Sequence, residues 1–286
     1  MLPFSISEAY SIKPNNLIEK ITSYENIDSL YKNLNKKMIP EDKLLNFILK
    51  GGYPKLYQDP AVDKEALHKS YITTYIERDL RDLSQVANLD TFQKVYKLLT
   101  YQSASLVNMS NLSNDIGIDA KTIKNYASIL ETSYICKFIS PYSFNTKKRL
   151  IKSPKLFFFD TGLLNFFYGN EDSEMMLNRA YWGAILETFV FSEIYKEIKD
   201  LTSRILLYFY RTSNGAEVDF ILEKGMNLYP IEVKSSIKIE SQDIRGIKSF
   251  METYPKKVPY GIVFYRGERI KYIDKNILCI PLQMLS

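Results

Sequence analysis

The residues with the most chemistry in them lie between Glu217 and Ser235, in the run EVDFILEKGMNLYPIEVKS. Its composition is that of two strands joined by a short turn. Asp219 falls on the first strand, and Glu232 and Lys234 fall on the second with one residue between them. Side chains on a strand alternate faces, so Glu232 and Lys234 point the same way. Two carboxylates and a lysine at the ends of paired strands can bind a hard divalent cation, Mg²⁺ or Mn²⁺. Magnesium is held by one or two carboxylates and keeps several waters. A bound water can then become a nucleophile while the lysine steadies developing negative charge. The expectation is a phosphodiester-cleaving site with Asp219, Glu232 and Lys234 as its catalytic residues. E-V-D and E-V-K are also what a half-buried strand with a charged edge looks like, and both readings stay open at this point.

The elements that would position this site follow from hydrophobic periodicity. Residues 180–199 form a helix whose apolar stripe is Trp182, Ile185, Leu186, Phe189 and Val190. Glu187 flanks that stripe and Glu193 sits nearer its middle; a carboxylate beside an apolar face is either covered by a partner or aimed into a site. Strands are expected at 204–210, 217–222, 228–234, 259–264 and 269–273, with a helix at 242–253. That is an α/β unit of ordinary domain size. Asp160-Thr161-Gly162 reads as a turn before a short helix, and Asn170 to Met175 as an exposed linker.

Residues 90–160 carry a second pattern. A first helix is followed by MSNLSNDI with Ser110 as its cap, then Gly117, then a helix capped by Asp119 that presents Ile123, Tyr126, Ile129 and Leu130 on one face. This is the helix-turn-helix arrangement. Two strands joined by the basic tip Lys147-Lys148-Arg149 complete a winged helix. Lys121, Lys124 and Asn125 would face DNA from the third helix, the wing would meet phosphates, and Arg211 would hold a neighbouring phosphate. Winged helices also serve as spacers between proteins, so DNA contact and protein contact are both carried forward. Residues 1–83 read as helices without a core of their own. His68 reads as an exposed helical residue.

Composition sets the outer bounds. The chain has 286 residues, 45% hydrophobic and 25% charged, with a net charge of +5 that is compatible with nucleic acid. Two distant cysteines and one histidine give no disulfide framework and no His-rich zinc site. A reducing cytoplasmic setting is expected. No apolar run approaches the ~18 residues of a membrane span, so no membrane association is expected. The phosphate-loop pattern G-x-x-x-x-G-K-[ST] is absent.

With these residues placed, G-A-I-L-E (ending at Glu187), E-V-D-F-I-L and I-E-V-K-S-S resemble the PD-(D/E)XK nuclease fold. The resemblance implies that Glu187, Asp219 and Glu232 are metal ligands and Lys234 the catalytic lysine. Val218 stands where the motif's proline would precede Asp219. The full length also resembles the C-terminal region of a group of prokaryotic AAA-type ATPases. That region consists of lid helices, a winged helix and a nuclease-like domain of unknown function. The blocks that carry the likeness are L-P-F-S-I-S-E from Leu2, G-G-Y-P from Gly51, Y-I-E-R-D-L from Tyr75, K-L-F-F-F-D-T-G-L-L from Lys155, R-T-x-x-G-A-E-V-D-F-I-L from Arg211, and I-E-V-K-S-S from Ile231.

The expected architecture is therefore mixed α+β. A helical segment spans 1–83 as the remnant of an ATPase lid, a winged helix-turn-helix spans 84–160, and an α/β nuclease-like domain spans 161–286. The expected function is a DNA-associated, metal-dependent hydrolase. Its alternative is a non-catalytic DNA- or protein-binding regulatory module of an ATPase. A separate ATPase module or a second copy of the chain would be the protein partner. With no phosphate loop, no ATPase activity is expected of this chain alone.

Overall fold

The computed structural model describes residues 2–59, 61–74, 88–143, 153–212 and 214–286. In chain order the helices are α1 (Ile6–Ala9), α2 (Leu17–Ile21), α3 (Ile27–Asn33), α4 (Glu41–Lys50), α5 (Lys55–Gln58), α6 (Lys64–Thr74), α7 (Leu89–Thr100), α8 (Met109–Ile116), α9 (Ala120–Thr132), α10 (Thr161–Tyr168), α11 (Ser173–Asn178), α12 (Trp182–Asp200) and α13 (Arg245–Thr253). The strands are β1 (Ser105–Leu106), β2 (Cys136–Ile139), β3 (Lys155–Phe158), β4 (Leu206–Arg211), β5 (Glu217–Lys224), β6 (Asn227–Lys234), β7 (Gly261–Tyr265), β8 (Lys271–Asp274) and β9 (Ile277–Pro281). The helix starts follow from side-chain oxygens that accept otherwise orphaned amides. Ser5 and Glu8 make a reciprocal capping box at α1. Asp119 accepts the Lys121 and Thr122 amides at α9. At α8 the cap is Asn108, which accepts from Ser110 and Asn111, so Ser110 is a recipient of the cap and not the cap itself. The expected linker after Asn170 contains α11, capped by Asp172 and anchored by the buried Met176.

The chain divides into two compact units. Their boundaries differ from the expected consecutive division at 83 and 160. The first unit comprises 1–4, 45–138 and 153–189. Its three-stranded sheet has the order β1-β3-β2, with Ser105 opposite Leu156 in the antiparallel β1–β3 pair. Phe92, Tyr96, Leu99, Ile123, Leu130 and Phe158 are among its fully buried residues. Asp160 ties this unit together. Its Oδ1 accepts the Leu163 amide at 2.8 Å and its Oδ2 the Gly52 amide at 2.7 Å. Gly51 has φ +79°, and any Cβ there would collide with the Asp160 carboxylate. His68 is buried beside Asp160, with 1% of its surface exposed, and not solvent-facing as expected. Tyr53 and Phe166 pack against its ring and override the polar look of its sequence neighbours.

The second unit comprises 5–44, 139–152 and 190–286. Its six-stranded sheet runs β4-β5-β6-β7-β9-β8. The β4–β5 and β5–β6 pairs are antiparallel, β6–β7 and β7–β9 are parallel, and β8–β9 is antiparallel. β7 and β9 are buried along their whole length, as interior parallel strands are. Strand β9, ILCIP, has no counterpart in the sequence reading, because a short apolar run carries no period. Helix α13 packs on β5 and β6. The approach is close at Gly246, where a Cβ would collide with the Glu217 carbonyl. Residues 5–44 belong to this unit through backbone bonds to the chain's last residues, such as Ile39 N–H to the Gln283 carbonyl at 2.9 Å. Among the described residues no helix is long and apolar enough to cross a membrane.

Candidate active site

Strands β5 and β6 bring three of the expected site residues together. The register pairs Phe220 with Ile231, so Asp219 and Glu232 are the next residues outward along the same ladder. Lys234 follows two positions later on the same face of β6. The Asp219 carboxylate accepts the Val233 amide through Oδ2 at 2.8 Å, which fixes its position relative to β6. Lys234 Nζ donates to Glu232 Oε1 at 2.8 Å. Both partners are shielded: the Lys234 side chain is 26% exposed and that of Glu232 11%. The parallel pairing of β6 with β7 sets Glu232 beside Val263 and Lys234 beside Tyr265. The site therefore lies toward the carboxyl ends of these strands, where open α/β sheets bind their ligands.

The charges in the site fix the state of the lysine. Burial disfavours its charged form, but the adjacent Glu232 carboxylate and its hydrogen bond outweigh that, and Asp219 and Asp243 add to them. The Lys234 pKa lies above its ordinary value. Asp243 is a residue that the sequence reading missed. It lies in the 3₁₀ turn Ser241–Ile244 before α13, where its carboxylate accepts the Glu240 amide at 2.8 Å. The signal for it was present as the spacing Glu240-x-x-Asp243, a reciprocal cap at a helix start.

Glu187, the third expected metal ligand, lies in the first unit. Its Oε1 is 2.5 Å from Lys155 Nζ, and both side chains are largely buried. Service as a ligand would require displacement of Lys155. Among the described residues no group of three or more His, Cys, Asp or Glu side chains is arranged to hold a metal. Asp219 and Glu232 are a two-carboxylate set. Mg²⁺ asks for only one or two carboxylates, with waters completing its shell. The donor set fits a hydrated Mg²⁺ or Mn²⁺ ion and does not fit a three-carboxylate cage. Glu193, also on α12, is covered: it accepts the Ile6 amide at 3.1 Å and pairs with Lys196 at 2.8 Å.

The expected nucleic-acid contacts divide into three groups. Lys121, Lys124 and Asn125 are exposed on α9. Arg211 is exposed at the end of β4 and lies 3.7 Å from Glu217 across the β4–β5 pair. Lys147, Lys148 and Arg149 lie outside the described residues, as does the Y-I-E-R-D-L block.

Comparison with known proteins matches two consecutive stretches of the chain. Residues 41–174 match the model of a domain of unknown function, DUF8612. Residues 182–285 match a second, DUF4143. The chain is 28% identical over 187 residues to "Uncharacterized protein Rv2008c" of Mycobacterium tuberculosis (strain ATCC 25618 / H37Rv). It is equally similar to "Uncharacterized protein Mb2031c" of Mycobacterium bovis (strain ATCC BAA-935 / AF2122/97). Each match covers 65% of this chain and 42% of the relative, so the similarity spans less than half the length of either relative.

Proposed function

We propose that this chain is a DNA-associated protein whose β5–β6 site hydrolyses phosphodiester bonds with Mg²⁺ or Mn²⁺. The observation that carries the reading is the meeting of Asp219, Glu232 and Lys234 on adjacent strands, with Lys234 bonded to Glu232. The sheet order β4-β5-β6-β7, antiparallel then parallel with α13 in the crossover, supports a PD-(D/E)XK-like core. In the first unit, the order α7, β1, α8, α9, β2, β3 with the sheet order β1-β3-β2 supports the winged-helix reading. The exposed Lys121, Lys124 and Asn125 are the groups that would meet DNA there.

In this mechanism Asp219 and Glu232 would hold the cation, and Asp219 is kept in place by the Val233 amide. When bound, the ion supplies an acidified water and neutralises charge on the phosphate. Lys234 remains protonated across the neutral range because its pKa is raised. It therefore acts as a cation and hydrogen-bond donor to a non-bridging phosphate oxygen, not as a base. Burial strengthens that interaction. Hydrolysis there would break the P–O bond to the leaving oxygen as a water oxygen bonds to phosphorus, with the proton lost by the water passing to solvent and the leaving oxygen taking one from solvent.

One observation favours a second reading, in which the unit is a non-catalytic module for an ATPase or for a second copy of the chain. Lys234 and Glu232 already satisfy one another, and Glu187 is engaged by Lys155. Cleavage of labelled linear, nicked and branched DNA separates the two. With Mn²⁺ or Mg²⁺ the wild-type chain is expected to cut, and folded Lys234→Ala to lose about 100-fold or more in rate, as loss of a charge-stabilising donor does. Absence of cutting, together with calorimetric metal binding unchanged by Asp219→Asn, would leave the non-catalytic module as the reading.

A further inference from the structure

Two hollows open on the second unit and share one residue, Met38. The first, of about 270 Å³, has Tyr31, Ile270 and Met284 in its lining. The second, of about 100 Å³, has Tyr10, Ile12, Ile39 and Pro40. Met38 stands between them as a large apolar side chain left 42% exposed.

The backbone that carries Met38 is held from below. Residues 34–40 form neither helix nor strand. Leu34 and Ile39 are buried, and the Ile39 amide donates to the Gln283 carbonyl at 2.9 Å. Between these anchors Asn15, 4% exposed, donates through Nδ2 to the carbonyls of Lys37 and Met284, each at 3.0 Å. Its Oδ1 accepts Asn35 Nδ2 at 3.0 Å. A buried amide with both ends engaged makes a fixed ridge of Lys36, Lys37 and Met38. Less backbone freedom is then lost when a partner binds.

Charge narrows the choice of partner. The linings hold five cations, Lys36 and Arg269 in the first hollow and Lys13, Lys37 and Lys43 in the second, against one side-chain carboxylate, Glu268. Elsewhere in this unit Lys196, Arg211, Lys234, Lys248 and Arg266 each pair with a carboxylate. Among the described residues the five cations of the hollows have no such partner. The surface is therefore set to receive an anion, either phosphates or carboxylates.

The aromatic rings decide between these. Single-stranded nucleic acid is held by bases stacked on open ring faces. Here Lys36 Nζ lies over the Tyr31 ring, 5.3 Å from its centroid, and Lys43 Nζ over the Tyr10 ring at 5.5 Å. Tyr31 also packs on Tyr272, with centroids 5.4 Å apart. These faces are covered, and the hollows offer aliphatic and thioether walls that suit apolar side chains. Duplex phosphates would meet the lysines and leave the hollows empty.

We propose that this surface docks an acidic amphipathic peptide segment of a partner protein. One apolar side chain of the segment enters each hollow, and its carboxylates meet the lysines of the ridge and rims. The site lies within the second unit and does not depend on the β5–β6 carboxylates.

The probe is a fluorescein-labelled peptide of Asp, Glu and Ser that carries two leucines, followed by anisotropy against the intact chain. Saturable binding is expected. Replacement of both leucines by Ser should weaken it about tenfold or more. Replacement of the acids by Asn and Gln should do the same at low ionic strength. The double variant Lys36→Glu/Lys37→Glu should weaken binding about tenfold or more, and Met38→Ser about threefold or more. Thermal melts check that both variants are folded, and Met38→Ser decides should the lysine variant fail. A labelled oligothymidylate should bind at least about tenfold more weakly than the peptide. Equal or tighter binding of the oligothymidylate, lost in the lysine variant, would assign the surface to nucleic acid and overturn the proposal. Absence of saturable peptide binding, or binding indifferent to the leucines or to the variants, would show the surface to be a solvated basic face.

Discussion

Asp160 receives the amides of Gly52 and Leu163, one on each carboxylate oxygen. That arrangement depends on a left-handed turn at Gly51, pressed so close that a Cβ would strike the carboxylate. Gly51→Ala is expected to cost about 2–4 kcal/mol, combining left-handed strain with overpacking. Gly169→Ala is the control: its φ is +68° with nothing within 4 Å of a Cβ, so it should cost about 1 kcal/mol. Calorimetric melts compare them, and equal losses would show that the collision is not what demands glycine at Gly51. The Gly52–Asp160 bond was invisible in the sequence because the bonded residues are 108 positions apart. The grouping of Asp219, Glu232 and Lys234 was legible for the opposite reason. Strand alternation and a short hairpin place them together by local rules alone. His68 was misread because its neighbours Lys64, Glu65 and Lys69 are polar, whereas its burial is decided by Tyr53 and Phe166 from other elements.

Helices α1 and α2 have four and five residues, too few to be stable alone. The second half of α12 supplies what they lack. Glu193 accepts the Ile6 amide at the start of α1, and Glu197, one turn later, accepts the Glu19 amide at 2.8 Å in the first turn of α2. Asn16, left-handed at the N-cap of α2, gives no side-chain cap of its own. Burial pushes the Glu197 pKa up to about 7, against the lowering effect of the Glu19 and Ile18 amides and with a further push from the charges of Glu19 and Glu193. The sign follows from proton linkage. Between the unfolded value of about 4.3 and the folded one, the native chain binds more protons than the unfolded chain. Its stability therefore falls as pH rises through that window and levels off above it. Glu197→Gln should remove this component. The melting-temperature difference, variant minus wild type, is expected to be more positive at pH 8 than at pH 4, and a difference independent of pH would rule the assignment out. Single elements were mostly legible in the sequence: α12 follows the Trp182 stripe, and β6 covers the strand expected at 228–234. Elements whose stability comes from elsewhere were not. Strand β9 has no period to read, and α11 depends on the Asp172 cap and the buried Met176.

At the scale of the molecule, chain order and spatial order part company. The sequence reads as three consecutive segments because each stretch has its own local pattern. The matched family regions, 41–174 and 182–285, leave residues 5–40 outside both. Yet Ile6, Ile18, Ile21 and Leu30 are fully buried in the unit that contains the six-stranded sheet. Tyr260 OH donates to the Ile21 carbonyl at 2.7 Å, and Asn15 Nδ2 donates to the Met284 carbonyl at 3.0 Å. None of these contacts has a local signature, which is why the segment looked like a helical appendage without a core. The consequence is a prediction about fragments. A chain of residues 182–286 keeps every strand of the large sheet but loses the 5–44 segment, and with it the groups that cover Tyr260 and that engage Glu193 and Glu197. Apolar surface returned to water and the loss of these hydrogen bonds both act against folding. The fragment is expected to melt without a cooperative transition and to bind a hydrophobic dye. Addition of a peptide of residues 1–44 should restore a sharp transition. A fragment that melts cooperatively, within a few degrees of the intact chain, would mean that the 5–44 segment decorates the unit without helping to build it.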